Sequence, residues 1–249
     1  MILTALALLA APPVGPTLSY PKIGEAGCSV TDDAESFACR ATDAAEAKRY
    51  AESASLYEGA ASRIVNDQRR AEAQAAAGNM WIAAGDYRRA VAVLDKALAD
   101  GGLVGIQLGM AHIDRARAAE ASGDLKTARA HLTSAMTTVA EDPFLWYFSA
   151  ALAVREANIP LARAHINRAL SMAPDSPEVL FEAGHVAQAA GDNSEARGYW
   201  EKVVAMNRGG SITTAARDAI AMLEVPLTVT NQVATRPDGD GEGQDKPQD

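Results

Sequence analysis

Small and apolar residues recur at helical spacing in one pattern that the chain repeats. The clearest copy is AAGDYRRAVAVLDKAL, at residues 83–98, in which a Gly-Asp step precedes a run with one apolar face. Similar stretches occupy residues 121–136 and 189–204. Apolar positions separated by three or four residues are typical of an amphipathic helix. The pattern therefore predicts three helices that each begin just after a Gly-Asp step.

The glycines of these steps are regularly spaced. Gly85 and Gly123 are 38 residues apart, and Gly123 and Gly191 are 68 apart, which is twice 34. A copy without the glycine falls at the missing midpoint, around Ala157, and a weaker copy begins at Lys48. Five copies with a period near 34 residues indicate a stacked helical array.

Each copy also contains an earlier helix, so that one copy predicts a hairpin of two helices. The turn glycine ends the first helix, because glycine adopts a left-handed conformation at little cost. The residues predicted to cap the second helices are Asp86, Asp124, Asn158 and Asp192. Glu195 is placed to complete a capping box with Asp192. Gly78 and Gly184 lie in the middle of first helices, which predicts close helix crossings there.

A bulky and then a small residue in the first helix, a Gly-Asp-Tyr turn, and an Ala-bulky-Ala run in the second helix resemble the tetratricopeptide repeat. Residues 78–98, with Trp81 and Tyr87, and residues 146–174 carry this resemblance best. It implies an all-α fold, a right-handed α-solenoid of about five hairpins. A further amphipathic pattern at residues 211–224 predicts a C-terminal capping helix, which such an array needs.

The two ends of the chain differ from the repeats. An apolar run at residues 2–11 is too short to span a bilayer, which takes about 20 residues. It is typical of a secretory signal, although no Lys or Arg precedes Lys22. The helical pattern stops at Val225, and residues 231–249 have almost no hydrophobic side chains and many Gly, Pro and Asp. We therefore predict a signal peptide at 1–20, a linker at 21–34, the repeat domain at 35–224 and a disordered acidic tail at 225–249.

This organisation predicts a periplasmic or secreted protein without a membrane span after processing, with a cytoplasmic protein as the alternative. Cys28 and Cys39 are the only cysteines. In an exported chain, a pair this close predicts a disulfide bond. The alternative interpretation is two small buried side chains under the first helix.

The remaining composition excludes several functions. The net charge of −9 argues against nucleic acid as a partner, because phosphate binders concentrate Lys and Arg. The chain has none of the common catalytic or nucleotide-binding motifs. Its four histidines lack the further ligands that a metal would need. We therefore expect no enzyme activity, no cofactor and no metal.

The resemblance implies that the first helices line a concave groove that holds a peptide or protein partner. By register, the predicted partner-binding residues are Asn79, Arg117, Glu120, Tyr147, Arg155, Phe181 and His185. Tyr147 and Phe181 are equivalent residues of adjacent copies, and beside Arg117 and Arg155 they suit an acidic or aromatic segment. The alternative, that the aromatic residues pack between repeats, stays open. The predicted function is a non-catalytic interaction scaffold; the alternative is a structural part of an envelope-biogenesis or secretion assembly at the membrane.

Overall fold

The computed structural model describes residues 28–206 and 210–224, which form eleven helices and no strand. The helices are α1 (Ala34–Glu46), α2 (Tyr50–Ala61), α3 (Asp67–Ala83), α4 (Tyr87–Ala99), α5 (Gly105–Ala121), α6 (Leu125–Ala135), α7 (Pro143–Arg155), α8 (Ile159–Met172), α9 (Pro177–Ala189), α10 (Asn193–Ala205) and α11 (Gly210–Glu224). The predicted all-α fold is confirmed.

Consecutive helices pair into five hairpins: α1 with α2, α3 with α4, α5 with α6, α7 with α8, and α9 with α10. Each hairpin packs on the next, and α11 covers the end of the array by packing on α10 and α9. The core is a series of apolar clusters, one after another along the array. This arrangement follows from the repeat, because one hairpin cannot bury its own apolar face and needs its neighbours.

The residues predicted to cap the second helices do so. Each side chain accepts a hydrogen bond from the backbone N–H three residues further on, in Asp86, Asp124, Asn158 and Asp192. The predicted capping box is only half formed. The carboxylate of Glu195 pairs with Arg163 at 3.2 Å, while the N–H of Asp192 donates to the carbonyl of Ala187. An ion pair to the preceding hairpin has replaced the local contact.

In all five hairpins, the residue at the same position of the turn has a left-handed backbone conformation. The φ angles of Gly85, Gly123 and Gly191 are 78°, 82° and 84°. Lys48 and Ala157 occupy the same place without being glycine, and their φ angles are 59° and 56°. The left-handed conformation is therefore retained where glycine is absent, because the helices on both sides of the turn are fixed by their packing.

The mid-helix glycines mark close crossings, as predicted. A Cβ atom added to Gly78 would collide with the side chain of Leu94, and one added to Gly184 would collide with the indole of Trp200. Leu94 and Trp200 are fully buried. The missing side chain in the first helix thus makes room for a large one in the second.

The predicted signal peptide at 1–20, residues 21–27 of the predicted linker and the predicted tail at 225–249 lie outside the described residues. Cys28, which precedes α1, forms a disulfide bond with Cys39 of α1, and their Cα atoms are 5.6 Å apart. None of the described helices is both long and apolar enough to cross a membrane.

Candidate functional site

The first helices of the second to fifth hairpins are α3, α5, α7 and α9. We call the surface on which they adjoin the inner face. The positions are compared through the small residue in the middle of each helix, which is Gly78, Ala116, Ala150 or Gly184. One residue after it lie Asn79, Arg117, Ala151 and His185. Two residues before it lie Ala76, Asp114, Phe148 and Glu182.

A buried polar cluster joins α3 to α5. The side-chain amide of Asn79 donates to Asp114 at 2.8 Å, and Arg117 pairs with the other oxygen of Asp114 at 3.0 Å. Asn79 is 2% exposed and Asp114 is 3% exposed. Burial raises the pKa of Asp114, while Arg117 and Asn79 lower it. Asn79 and Arg117, which were both predicted to bind a partner, thus bind a carboxylate of the chain itself.

A second ion pair joins α5 to α7. Arg155 contacts the buried carboxylate of Glu120, and its guanidinium also lies 3.4 Å from the backbone carbonyl of Glu120. Arg117 lies beside this pair in the array, with its guanidinium 6.0 Å from the ring of Phe144. Both cations that the sequence places on the inner face are therefore neutralised within the protein. This pairing weakens the case for an acidic partner segment.

Tyr147 lies where α7 meets α9 and is only partly exposed. Its ring meets that of Phe144 edge-on, with the centroids 5.0 Å apart, and it packs on the cluster that contains Val179 and Ala183 of α9. Burial, together with nearby Glu178, raises the pKa of the Tyr147 phenol, so the hydroxyl stays protonated. The ring thus packs between repeats and is still partly exposed.

Phe181 and His185 lie one turn apart on α9, near α11. Their rings meet edge-on with centroids 4.6 Å apart, and His185 also contacts the indole of Trp200 at 5.3 Å. Burial lowers the pKa of His185 to about 4, so its imidazole is neutral at neutral pH. The partly exposed ring of Phe181 also packs on the cluster that α11 closes.

Glu182 is an unpaired acid on the inner face. It is 9% exposed, and its Oε1 atom is buried with no hydrogen-bond partner among the described residues. Burial raises the pKa of Glu182 to about 8. Electrostatically, its carboxyl group acts on the phenol of Tyr147 from the next first helix. Such a group is costly in a folded protein unless a donor reaches it.

The sequence reasoning missed Asp114 and Glu182. The signal that identifies them is positional, because both acids lie two residues before the small residue of a first helix. That position holds Ala76 in α3 and Phe148 in α7, so an acid there breaks an otherwise apolar register.

One group of potential metal ligands occurs in residues 28–206 and 210–224, formed by Cys28, Cys39 and Asp43. The two sulfur atoms are joined in the disulfide bond, so they offer no thiolates to a metal.

No model of a known protein family and no curated protein matches the sequence. Solved structures do match. YrrB, described as a tetratricopeptide-repeat protein with an unusual peptide-binding site, is 16% identical, with a TM-score of 0.55 over 75% of this chain and 93% of that one. The chain has the tetratricopeptide-repeat fold.

Two other structures with this repeat architecture agree. MamA from Desulfovibrio magneticus RS-1, from its residue 41 to its end, is 18% identical and matches with a TM-score of 0.60 over 72% of this chain and 98% of that one. A tetratricopeptide-repeat protein from Parabacteroides merdae is 16% identical and matches with a TM-score of 0.58 over 78% and 72%. The predicted resemblance is thus confirmed at the level of the fold.

Proposed function

We propose that this protein is a non-catalytic scaffold that holds a segment of a partner protein on its inner face. The observation that carries the proposal is the placement of Tyr147 and Phe181. These rings come from equivalent positions of adjacent hairpins, and both stay partly exposed beside buried polar groups. Aromatic side chains in such surroundings dominate binding energies in protein interfaces. The peptide-binding site named for YrrB, which has the same fold, supports the proposal.

The first experiment asks which face of the array meets a partner. A photo-crosslinking residue replaces Gln188, which is exposed on α9, or, as a matched control, Glu201, which is exposed on α10. Irradiation of cells of the protein's own host should give a specific adduct from position 188 and none from position 201. Adducts from position 201 alone would place the working surface on the second helices and contradict the proposal.

The second experiment measures the contribution of the aromatic side chain, using the partner that the crosslink identifies. Tyr147→Ala should weaken binding by about 1–3 kcal/mol, as an interface hot spot does. Thermal unfolding is measured in parallel, because Tyr147 also packs against α9. Unchanged affinity in a variant that remains folded at the assay temperature would exclude this part of the inner face.

In this proposal the protein acts in the periplasm or outside the cell. The apolar segment at residues 2–11 and the bond between Cys28 and Cys39 support that placement. N-terminal sequencing of the protein from its own host should find a mature chain that starts between residues 11 and 25. A chain that starts at Met1 in the cytoplasm would contradict the proposed location.

A further inference from the structure

Two of the buried acids of the inner face, Asp114 and Glu182, occupy the same position in their hairpins but have different surroundings. Asp114 receives one hydrogen bond from Asn79 of the preceding first helix and an ion pair from Arg117 of its own helix. Both donors come from the position just after the small mid-helix residue. The charge of Asp114 is therefore balanced by two donors from the chain.

Neither donor exists for Glu182. The residue of α7 that corresponds to Asn79 is Ala151, whose side chain has no polar group. The residue of α9 that corresponds to Arg117 is His185, whose ring packs against Phe181 and Trp200. Within the described residues, Glu182 Oε1 consequently has no hydrogen-bond partner.

The surroundings of Glu182 favour a cation. Glu178 lies one turn earlier on the same helix and is exposed, which adds a second acidic side chain. Tyr147 of α7 lies where that helix meets α9, with its ring partly exposed, and aromatic rings attract ammonium and guanidinium groups to their faces. The cations that the sequence places on this surface, Arg117 and Arg155, are already paired with Asp114 and Glu120.

From these contacts we infer that the inner face between α7 and α9 accepts a lysine or arginine side chain of the partner segment, whose cation pairs with Glu182 beside Tyr147. Ala151 occupies the position that Asn79 has relative to Asp114, and because its side chain is small, a donor from the partner can take that position. The inference rests on the proposed function and adds the chemistry of the segment, which is basic at this point rather than acidic. The cation favours the ionised form of the carboxyl group, so Glu182 releases its proton to solvent when the partner binds. The resulting charge-assisted pair gives specificity, because an apolar residue there supplies no donor and a neutral amide supplies no charge.

The test uses a random twelve-residue peptide library displayed on phage and selected on the full chain. The selections are run on the wild type, on Glu182→Gln, and on Glu201→Gln as a control at an exposed acid of α10. Peptides from the wild type and from Glu201→Gln should share a Lys or Arg at one position. Replacing that residue by Gln in a synthetic peptide should weaken its binding to the wild type at least about tenfold. The same replacement should change binding to the Glu182→Gln variant only a little.

A second variant, Ala151→Asn, restores the donor that Asp114 has. It should reduce the affinity for the basic peptide, because the new amide competes for Glu182. Circular dichroism checks that each variant is folded.

If selected peptides bind but their basic residue matters equally to the wild type and to Glu182→Gln, or if they carry no common cation, the inference is wrong while the scaffold function stands. A library that yields no binder to any version of the chain contradicts the scaffold function itself.

Discussion

The unpaired carboxyl group of Glu182 leads to a prediction about stability that needs no partner. Burial raises its pKa from an ordinary value of 4.5 to about 8. Between pH 4.5 and 8 the unfolded chain has lost this proton and the folded chain has kept it. The free energy of unfolding must therefore fall as pH rises through this range, and the contribution of the protonated group is fully present only below pH 4.5.

Glu182→Gln removes the titration while keeping the shape of the neutral side chain. At pH 7 the ordinary pKa lies about 2.5 pH units below the solution pH, and each unit corresponds to about 1.4 kcal/mol. The variant should therefore be more stable than the wild type by about 3 kcal/mol at pH 7. The two proteins should be equally stable at pH 4, where the carboxyl group is protonated in both states.

Urea denaturation followed by far-UV circular dichroism measures the difference at pH 4, 5.5, 7 and 8.5. Taking the difference between two nearly identical chains cancels the titration of every other group, including that of His185. Glu201→Gln, at an exposed position, should show no such dependence on pH. A difference that does not change with pH would show that the pKa of Glu182 is the same in the folded and unfolded chains, and a variant that becomes less stable than the wild type between pH 4 and pH 7 would show that folding lowers this pKa. Either result would refute the reasoning.

Four further predictions concern the hairpins and the disulfide bond. Gly184→Ala should destabilise the protein by about 1–3 kcal/mol in thermal unfolding, because the added methyl group collides with a buried indole. Gly198→Ala, where a Cβ meets open space, should stabilise it by about 0.5–1 kcal/mol. Ala157→Gly should raise the free energy of unfolding by about 1 kcal/mol, since the residue is left-handed; an unchanged or lower value would contradict this account. Thiol labelling of the unfolded, unreduced protein should find Cys28 and Cys39 unreactive, and two labelled thiols in fresh material would contradict the disulfide bond.

The helices and turns could be predicted from the sequence because their determinants lie within a few residues and recur. The cap at Asp86 and the glycine at Gly85 act on their own hairpin, and the same pair appears again at Gly123. The period even located the turn at Ala157, where the glycine itself is missing. These local determinants occur in five copies, so a copy that departs from the pattern can still be recognised by comparison with the others.

The polar contacts of the inner face could not be predicted in the same way. Whether Arg117 is free to bind a partner depends on Asp114 in its own helix and on Asn79 in the preceding hairpin, 35 residues from that acid. The registry between hairpins decides which side chains meet, and the repeat pattern does not specify it. The connection between α4 and α5, residues 100–104, is a second case. The turn glycines on either side of it, Gly85 and Gly123, are 38 residues apart rather than 34, and Leu103 of this connection lies in the core at 4% exposure.

The contacts between helices have a kinetic consequence. In the described part of the chain, substantial contacts join only helices that are next to each other or next but one along the sequence. Chains dominated by such local contacts fold rapidly, because little loop entropy must be lost before a contact forms. Each hairpin can consequently form as soon as its own residues and those of its neighbour have left the ribosome. Among the described helices, α9 and α10 are covered only after residues 210–224 have been synthesised, since α11 packs on both of them.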